Sequence, residues 1–178
     1  MDGELTLRVA RAGDTERVLD FYTQMIDQMA GTDFDVLWKH DVHPSSEFLR
    51  ASVDAGQVLL GLLVDGSIVC ALVMNREGAP GYDSVPWLVP AASGEVLVLH
   101  VVATLPAYHG RGFAKQLVKA AICAAREQGA RALRLDTFTT NVRGQRLYET
   151  CGFTRVGTFP VFYDDLGTVN LVMYEFAL

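Results

Sequence analysis

Hydrophobic positions in the first half of the chain alternate between the spacing of helices and the spacing of strands. Apolar residues recur every three or four positions after Asp14, which predicts a helix that starts there. These residues are Val18, Tyr22, Met25, Ile26 and Met29. A second helix is predicted from Pro44, whereas 31–43 lack either rhythm and are expected to form a loop. The predicted strands are 5–10, 58–64 and 68–74. The dipeptide Asp65-Gly66 separates the last two strands and predicts a hairpin.

The second half of the chain contains a strand, a helix and a strand that predict a parallel crossover. Residues 95–104 form an almost unbroken apolar run, which is typical of a strand buried on both faces. A short turn then leads to a predicted helix at 112–128 and a strand at 132–138. Asn141 is expected to cap a short helix, and Gly152 is expected to end it in a left-handed conformation. The last predicted strands are 154–162 and 169–176. A hairpin and a parallel crossover in one chain predict an α+β fold on a mixed sheet.

Composition limits the classes of protein to which the chain can belong. It has 178 residues, of which 50% are hydrophobic and 20% are charged. This is the balance of one folded domain, which we expect to span residues 1–178. No apolar run is long enough to cross a bilayer, and the acidic N-terminus lacks the apolar run of a secretory signal. A net charge of −6 argues against nonspecific nucleic-acid binding. We therefore expect a cytoplasmic protein with neither nucleic-acid nor membrane partners.

The cysteines and histidines show no spacing typical of a metal site. Cys70, Cys123 and Cys151 are far apart, and the histidines lack helical ligand spacing. Each cysteine lies in an apolar or element-terminal setting, so we expect buried, unreactive thiols and no metal. This cysteine usage fits a reducing cytoplasm.

The strongest chemical signal is a pair of glycines, Gly110 and Gly112, between the buried strand and the following helix. Glycines let the backbone approach a ligand closely, and a helix amino terminus supplies unpaired N–H groups and a positive dipole end. Arg111, Lys115 and Lys119 would add positive charge locally. The pattern predicts a phosphate cradle, and a glycine-rich turn without a ligand is the alternative.

Three phosphate ligands compete for this cradle. A nucleoside triphosphate loop would need Gly-Lys-Ser/Thr, which the sequence does not contain. A dinucleotide fold would need a third glycine where Lys115 stands, although Asp136 lies where an acidic ribose partner is expected. The turn is also longer than the dinucleotide turn, and no second set of parallel crossovers follows. The third ligand is acyl-coenzyme A, whose diphosphate suits the same cradle.

Two motifs resemble those of the GNAT superfamily of acyl-CoA-dependent N-acetyltransferases. The first motif resembles the family's strand and its Arg/Gln-x-x-Gly-x-Gly/Ala loop, with His109 in the Arg/Gln place. It runs from Val102 to Ala114 and reads Val-Ala-Thr-Leu-Pro-Ala-Tyr-His-Gly-Arg-Gly-Phe-Ala. Asn141, Leu-Tyr-Glu at 147–149 and Gly-Phe at 152–153 resemble its Asn-(x)5-Leu-Tyr-Glu-x-x-Gly-Phe helix. Gly144 replaces a frequent alanine there. The resemblance covers about residues 57–160 well.

The resemblance implies a single GNAT-like domain with a strongly twisted mixed sheet of about seven strands and about four helices. It also implies that the donor, acetyl-CoA, is held by a defined set of residues. These are Val102, Ala103, Thr104, His109, Gly110, Arg111, Gly112, Phe113, Ala114, Lys115, Asn141 and Tyr148. Among these, the backbone of 102–104 would hold the pantetheine amides, and the Val102 N–H would stabilise the oxyanion.

The resemblance further implies direct attack of an amine on the thioester, without a metal or a covalent intermediate. Tyr148 is expected to be the general acid at the thioester sulfur, and aromatic packing is its alternative role. Asn141 is expected to contact pantetheine, to cap a helix, or both. His100 resembles a histidine proposed as the general base in arylalkylamine N-acetyltransferases. If His100 is instead a core histidine that has a hydrogen-bond partner, the base is expected to be Glu95 or a water chain.

Acceptor identity is less constrained by the sequence. Aromatic residues that could border the acceptor pocket are Tyr22, Trp38, Trp87, Phe162 and Tyr163. A small-molecule amine or amino-acid-like acceptor is expected rather than a folded protein, and a homodimer is an allowed assembly. The competing hypothesis is a catalytically inactive acyl-CoA sensor or interaction module of the same fold.

Overall fold

The helices and strands follow one another in the order that the hydrophobic pattern predicts. The computed structural model describes residues 5–178, and this part contains seven strands and four α-helices. The strands are β1 (Thr6–Val9), β2 (Val58–Leu62), β3 (Ile68–Asn75), β4 (Val96–Thr104), β5 (Ala132–Phe138), β6 (Thr154–Tyr163) and β7 (Gly167–Ala177). The helices are α1 (Thr15–Met29), α2 (Ser46–Asp54), α3 (Phe113–Glu127) and α4 (Val142–Thr150).

The strands form one mixed sheet in the order β1-β2-β3-β4-β5-β7-β6. The predicted hairpin is confirmed, since β2 and β3 pair antiparallel. The predicted crossover is also confirmed, because β4 and β5 pair parallel. That parallel register covers three residue pairs, from Val96 with Ala132 to Val98 with Arg134, whereas β5 pairs with β7 along its whole length. The α+β fold on a mixed sheet is therefore as predicted.

Contacts divide the chain into two compact units. Among the described residues, the first comprises 5–74 together with Val101–Ala120, and the second comprises Asn75–His100 and Ala121–Leu178. None of the described helices combines the length and the apolar character needed to cross a membrane.

The core of the first unit forms between the apolar stripe of α1 and the strands of that unit. Its buried members include Val18, Phe21, Tyr22, Met25, Leu60, Ala71 and Ala103. Asp14 fixes the start of α1, because its carboxylate accepts hydrogen bonds from Arg8 at 2.7 and 2.9 Å and from Arg17 at 2.8 Å. The Arg8 hydrogen bond holds the pKa of Asp14 well below its usual range, although burial acts in the opposite direction.

The core of the second unit joins strands β4 to β7 with the irregular segment that precedes β4. Buried members include Tyr82, Val85, Val96, Val98, Ala132, Leu171 and Met173. The segment is anchored by Glu175 of β7, whose carboxylate accepts from the N–H groups of Leu88 at 2.7 Å and Val89 at 2.9 Å. Its other oxygen accepts from Arg134 Nε at 2.7 Å. This buried ion pair fixes a segment that has almost no regular secondary structure of its own.

One expectation about the cysteines is wrong. Cys70 and Cys151 are buried as predicted, but Cys123 is exposed. Cys123 lies on the polar side of α3, away from the stripe that begins at Phe113 and Leu117, so the helix turns its thiol to solvent. No group of three or more metal-ligating side chains occurs within residues 5–178.

Candidate active site

Strand β4 contains a local distortion immediately before the predicted oxyanion donor. Val101 has φ +46°, a left-handed conformation that a β-branched residue adopts only under constraint. Its carbonyl accepts a hydrogen bond from the buried Tyr22 hydroxyl at 2.8 Å. In a trans peptide the C=O and the following N–H point in opposite directions, so the Val102 N–H points away from Tyr22. That the Val102 N–H stabilises an oxyanion stays a prediction.

Tyr22 lies in the core, whereas the sequence suggested that it could border the acceptor pocket. Its ring is 1% exposed and packs at 5.0 Å, edge to face, against Phe21. Burial is the main reason that its pKa is raised far above that of an ordinary tyrosine. Tyr22 is thus a neutral core residue that positions β4, and it does not border an open pocket.

The end of β4 carries an unpartnered polar group. The Thr104 hydroxyl is buried and has no hydrogen-bond partner, which distinguishes it from the other buried side-chain oxygens and nitrogens of residues 5–178. The Thr104 carbonyl is occupied, because it accepts from His109 Nε2 at 2.8 Å. The His109 ring also packs edge to face against Phe34 at 5.0 Å. A buried hydroxyl left unsatisfied is costly, so its position suits a polar atom of a ligand.

The glycine turn leads directly into α3 with both glycines in left-handed conformations. Gly110 has φ +78° and Gly112 has φ +76°. A Cβ atom built on either glycine would meet no atom within 4 Å, so the space beside this backbone is open. Arg111 is exposed and lies over the Tyr108 ring at 5.2 Å, and Lys115 is exposed on the first turn of α3. Open backbone, a helix amino terminus and two cations together form an arrangement that can hold a diphosphate.

Phe113 and Ala114 follow the glycine turn and were also predicted to bind the donor. The Phe113 ring is buried and packs at 6.3 Å from Tyr108, so it anchors the start of α3 in the core. Ala114 is partly buried at the next position of the helix. The first unit thus brings together the predicted residues from Val102 to Lys115.

The second unit holds Tyr148 and Asn141, both on α4. Tyr148 is 6% exposed and packs edge to face against Phe153 and at a tilt against Tyr174, with 6.0 Å between ring centroids in each pair. Burial raises its pKa well above that of an ordinary tyrosine, and the negative charge of Asp136 adds to the effect. The phenol is therefore a neutral proton donor at physiological pH. Packing and a proton-donor role are compatible here, since the ring packs while the hydroxyl keeps its proton.

Asn141 caps α4 as predicted. Its side-chain oxygen accepts from the Gly144 N–H at 3.0 Å, and its amide group donates to the Thr137 hydroxyl at 2.8 Å. A Cβ built on Gly144 would lie 2.4 Å from the Asn141 amide nitrogen, so an alanine here would require the Asn141 side chain to shift. The contact of Asn141 with pantetheine stays a prediction.

The two candidate bases have different surroundings in the second unit. His100 is partly buried, and its Nε2 donates to the Asn75 side-chain oxygen at 2.8 Å, so a base role would use Nδ1. Glu95 precedes β4, accepts from the Ala92 N–H at 2.9 Å and lies 3.6 Å from Arg131. It is therefore engaged in a turn. The general-base role of either residue stays a prediction.

Sequence reasoning did not place Asp136 in the candidate site. Asp136 lies on β5 and accepts a hydrogen bond from the Tyr82 hydroxyl at 2.6 Å. The sequence suggests only a ribose-binding role for Asp136, in the dinucleotide alternative. A signal was available, because Arg134 and Asp136 are charged residues two positions apart, and therefore on one face, of a predicted strand. Such charges need partners inside the fold.

A family model described as the acetyltransferase (GNAT) family matches residues 23–153. The chain therefore belongs to the GNAT acetyltransferase family. No curated protein matches it significantly.

Solved structures support the fold assignment. A GNAT-family acetyltransferase from Streptococcus agalactiae is 20% identical, with a TM-score of 0.77 and coverage of 98% of this chain and 95% of that one. An N-acetyltransferase from Staphylococcus aureus Mu50 is 19% identical, with a TM-score of 0.70 and coverage of 98% of both chains. The yncA protein of Salmonella typhimurium, solved with its cofactor acetyl-CoA, is 19% identical, with a TM-score of 0.70 and coverage of 98% and 94%. At these identities the likeness shows the fold alone.

Proposed function

We propose that this protein is an N-acetyltransferase that transfers an acetyl group from acetyl-CoA to a primary amine of a small molecule by direct attack. The observation that carries the proposal is the open glycine turn at the start of α3, which follows the unpartnered Thr104 hydroxyl. Family membership supports the donor, and the Salmonella yncA structure contains acetyl-CoA on the same fold. The proposal includes action in a reducing cytoplasm, alone or as a homodimer, with no nucleic-acid or membrane partner.

Donor binding is assigned to groups of the first unit. The N–H groups of residues 110–113 would hold the diphosphate, with Arg111 and Lys115 supplying positive charge. The backbone of 102–104 would pair with the pantetheine amides, and the Thr104 hydroxyl would gain the partner that it lacks. The residues present therefore fit coenzyme A, whose thioester supplies the activated acetyl group when it is bound.

Stabilisation of the developing oxyanion is assigned to the Val102 N–H. The left-handed Val101 and the hydrogen bond from Tyr22 orient this N–H before any ligand arrives. Such preorganised donors stabilise the transition state more than donors that must reorient during the reaction. Tyr22 therefore acts through the backbone as a positioning residue.

Protonation of the departing sulfur is assigned to Tyr148. A thiolate that resembles a cysteine side chain has a pKa of about 8.5, so it needs a proton to leave efficiently near neutral pH. Tyr148 carries a proton at neutral pH, as an ordinary tyrosine does, so its hydroxyl can supply that proton. The amine must also lose a proton, and His100 is the proposed base, with Glu95 or water as the alternatives.

Calorimetry with coenzyme A, combined with thiol release across a panel of amines, tests the proposal. Wild-type protein is expected to bind coenzyme A and to release thiol from acetyl-CoA only when an acceptor amine is present. Binding without release for any amine would favour the inactive sensor. No heat with coenzyme A would contradict both functions.

A matched pair of glycine variants shows whether binding uses the glycine turn. Gly112→Ala and Gly129→Ala place alanine at φ +76° and φ +71°, and neither Cβ would meet an atom within 4 Å. Both should lose about 1–2 kcal/mol of stability, because left-handed alanine is strained. Only Gly112→Ala should weaken coenzyme A binding. Equal affinity in the two variants would contradict the assignment of the diphosphate site.

A further inference from the structure

Asn75, the last residue of β3, is a buried amide that connects two parts of the second unit. Its side chain belongs to a residue that is 6% exposed, and its oxygen Oδ1 has two polar contacts. Oδ1 accepts from the Glu77 N–H at 2.9 Å and lies 2.8 Å from His100 Nε2. An amide held by two such contacts is fixed in place, because breaking either contact inside the protein leaves a polar group without its partner.

The Glu77 N–H determines which way the Asn75 amide faces. A side-chain amide can be turned over, so that its oxygen and its NH2 group exchange places. A backbone N–H can only donate, so it must meet the oxygen of Asn75 and not the NH2 group. Arg76 ties the same turn to the residues before β4, because its Nη1 donates to the Gly94 carbonyl at 2.6 Å. The orientation of the amide therefore follows from the backbone and does not depend on the histidine.

The fixed amide decides which nitrogen of His100 carries the proton. The Asn75 oxygen can only accept, so the His100 Nε2 that it meets must be an N–H donor. In a neutral imidazole one ring nitrogen is protonated and the other is basic, so the basic nitrogen of His100 is Nδ1. A ring that could change its tautomer would present its basic nitrogen in two directions. The contact with Asn75 removes that freedom.

We propose that Asn75 is a positioning residue that holds His100 in the tautomer protonated at Nε2, so that Nδ1 accepts the proton of the acceptor amine. The inference rests on the proposed function and adds to it a residue that acts through His100 and touches no reacting atom. One N–H bond of the ammonium breaks, its electron pair stays on the amine nitrogen for attack on the thioester, and the proton bonds to Nδ1. The imidazolium formed in this step keeps its Nε2–H on the Asn75 oxygen, and hydrogen bonds from charged donors are stronger than neutral ones.

Nitrogen NMR of the full chain tests the tautomer without relying on turnover. The histidine rings are labelled with ¹⁵N and observed at about pH 9, where an ordinary imidazole is neutral. The His100 signals are assigned by their loss in His100→Gln. Wild-type protein is expected to show Nε2 at the chemical shift of a protonated nitrogen and Nδ1 at that of an unprotonated one. A ring protonated at Nδ1, or one that averages the two tautomers, would overturn the inference.

Variants at position 75 show whether Asn75 causes this state. Asn75→Asp keeps an oxygen that accepts from Glu77 and His100, so Nε2 should stay protonated. Asn75→Leu has a similar volume but no acceptor, so the His100 shifts should move toward those of free histidine, in which both tautomers are populated. Asn75→Ala serves the same purpose if leucine disrupts folding, which circular dichroism detects. Ring shifts that stay at their wild-type values without the acceptor would overturn the role of Asn75.

Kinetics in two backgrounds separate positioning from a purely structural role. Asn75→Leu should lower kcat/KM for the amine by about 10- to 100-fold, mainly through kcat, because a misplaced base transfers the proton less efficiently. Asn75→Asp should recover most of that loss. In the His100→Gln background the Asn75→Leu change should have no further effect, because the group through which Asn75 acts is already absent. An equal loss in both backgrounds would overturn the inference.

The outcomes distinguish this inference from the proposed function. The expected ring state without thiol release for any amine would contradict the enzyme and still support Asn75 as the residue that fixes the His100 tautomer. Thiol release that neither His100→Gln nor Asn75→Leu lowers would support the enzyme and overturn the inference, and the base role would then pass to Glu95 or water.

Discussion

Replacing Glu175 by glutamine should destabilise the second unit far more than the same change in an exposed ion pair. Glu175 is 1% exposed and lies 2.7 Å from Arg134, whose side chain is 10% exposed. Glutamine keeps an oxygen that can accept from the Leu88 and Val89 N–H groups, but it removes the charge that neutralises Arg134. Breaking one side of a buried pair leaves an uncompensated charge, so the expected loss is about 3–5 kcal/mol.

The matched control is Glu16→Gln. Glu16 pairs with Arg50 at the same distance of 2.7 Å, but the two side chains are 75% and 49% exposed. Solvent screens an exposed pair, so we expect the free energy of unfolding to stay within error of wild type. Urea unfolding, monitored by circular dichroism and tryptophan fluorescence, measures both variants.

A double variant identifies the cause of the loss. In Arg134→Met with Glu175→Gln both charges are absent, while the oxygen that holds Leu88 and Val89 is retained. This variant should recover most of the stability lost in Glu175→Gln alone, because no buried charge remains. Equal losses for Glu175→Gln and Glu16→Gln, or a double variant less stable than Glu175→Gln, would refute the reasoning.

Three further predictions concern catalysis and pH. Tyr148→Phe should lower kcat by about 10²- to 10⁴-fold, because a general acid is removed. The affinity for coenzyme A, measured by calorimetry, should stay unchanged. Equal losses in kcat and in coenzyme A affinity would instead assign Tyr148 to packing. His100→Gln should remove an ionisation between about pH 6 and 8 from the pH profile of kcat/KM, and an unchanged profile would give the base role to Glu95 or water. Asp14→Asn should lose stability at neutral pH, and its difference from wild type should shrink as the pH falls below about 4. The reason is that Asp14 has a lowered pKa, so its ionised form stabilises the fold above the ordinary carboxyl pKa and is lost on acidification. A difference that is constant between pH 7 and pH 3, measured by urea unfolding, would contradict this last prediction.

Local sequence signals predicted the elements closely. The strand at 132–138 matches β5 at both ends, and Asn141 caps α4 as expected. Gly152 follows α4 with φ +97°, as its predicted C-terminal role requires. These features depend on residues within one turn or one strand of each other, so a single sequence is enough to predict them.

Features that depend on residues far apart in the chain were not predicted. The left-handed Val101 is supported by Tyr22, which lies 79 positions earlier, and nothing in the apolar run of β4 indicates a distortion. Asp136 and Tyr82 are separated by 54 positions and meet only when the irregular segment folds onto β5. Tertiary contacts decide these features, and local patterns do not encode them.

The structure of a crystal grown with coenzyme A tests the central claim most directly. We expect the diphosphate oxygens within hydrogen-bond distance of the N–H groups of residues 110–113, and the Thr104 hydroxyl hydrogen-bonded to the ligand. A diphosphate bound elsewhere on the chain, with the Gly110–Gly112 backbone left to solvent, would contradict the account.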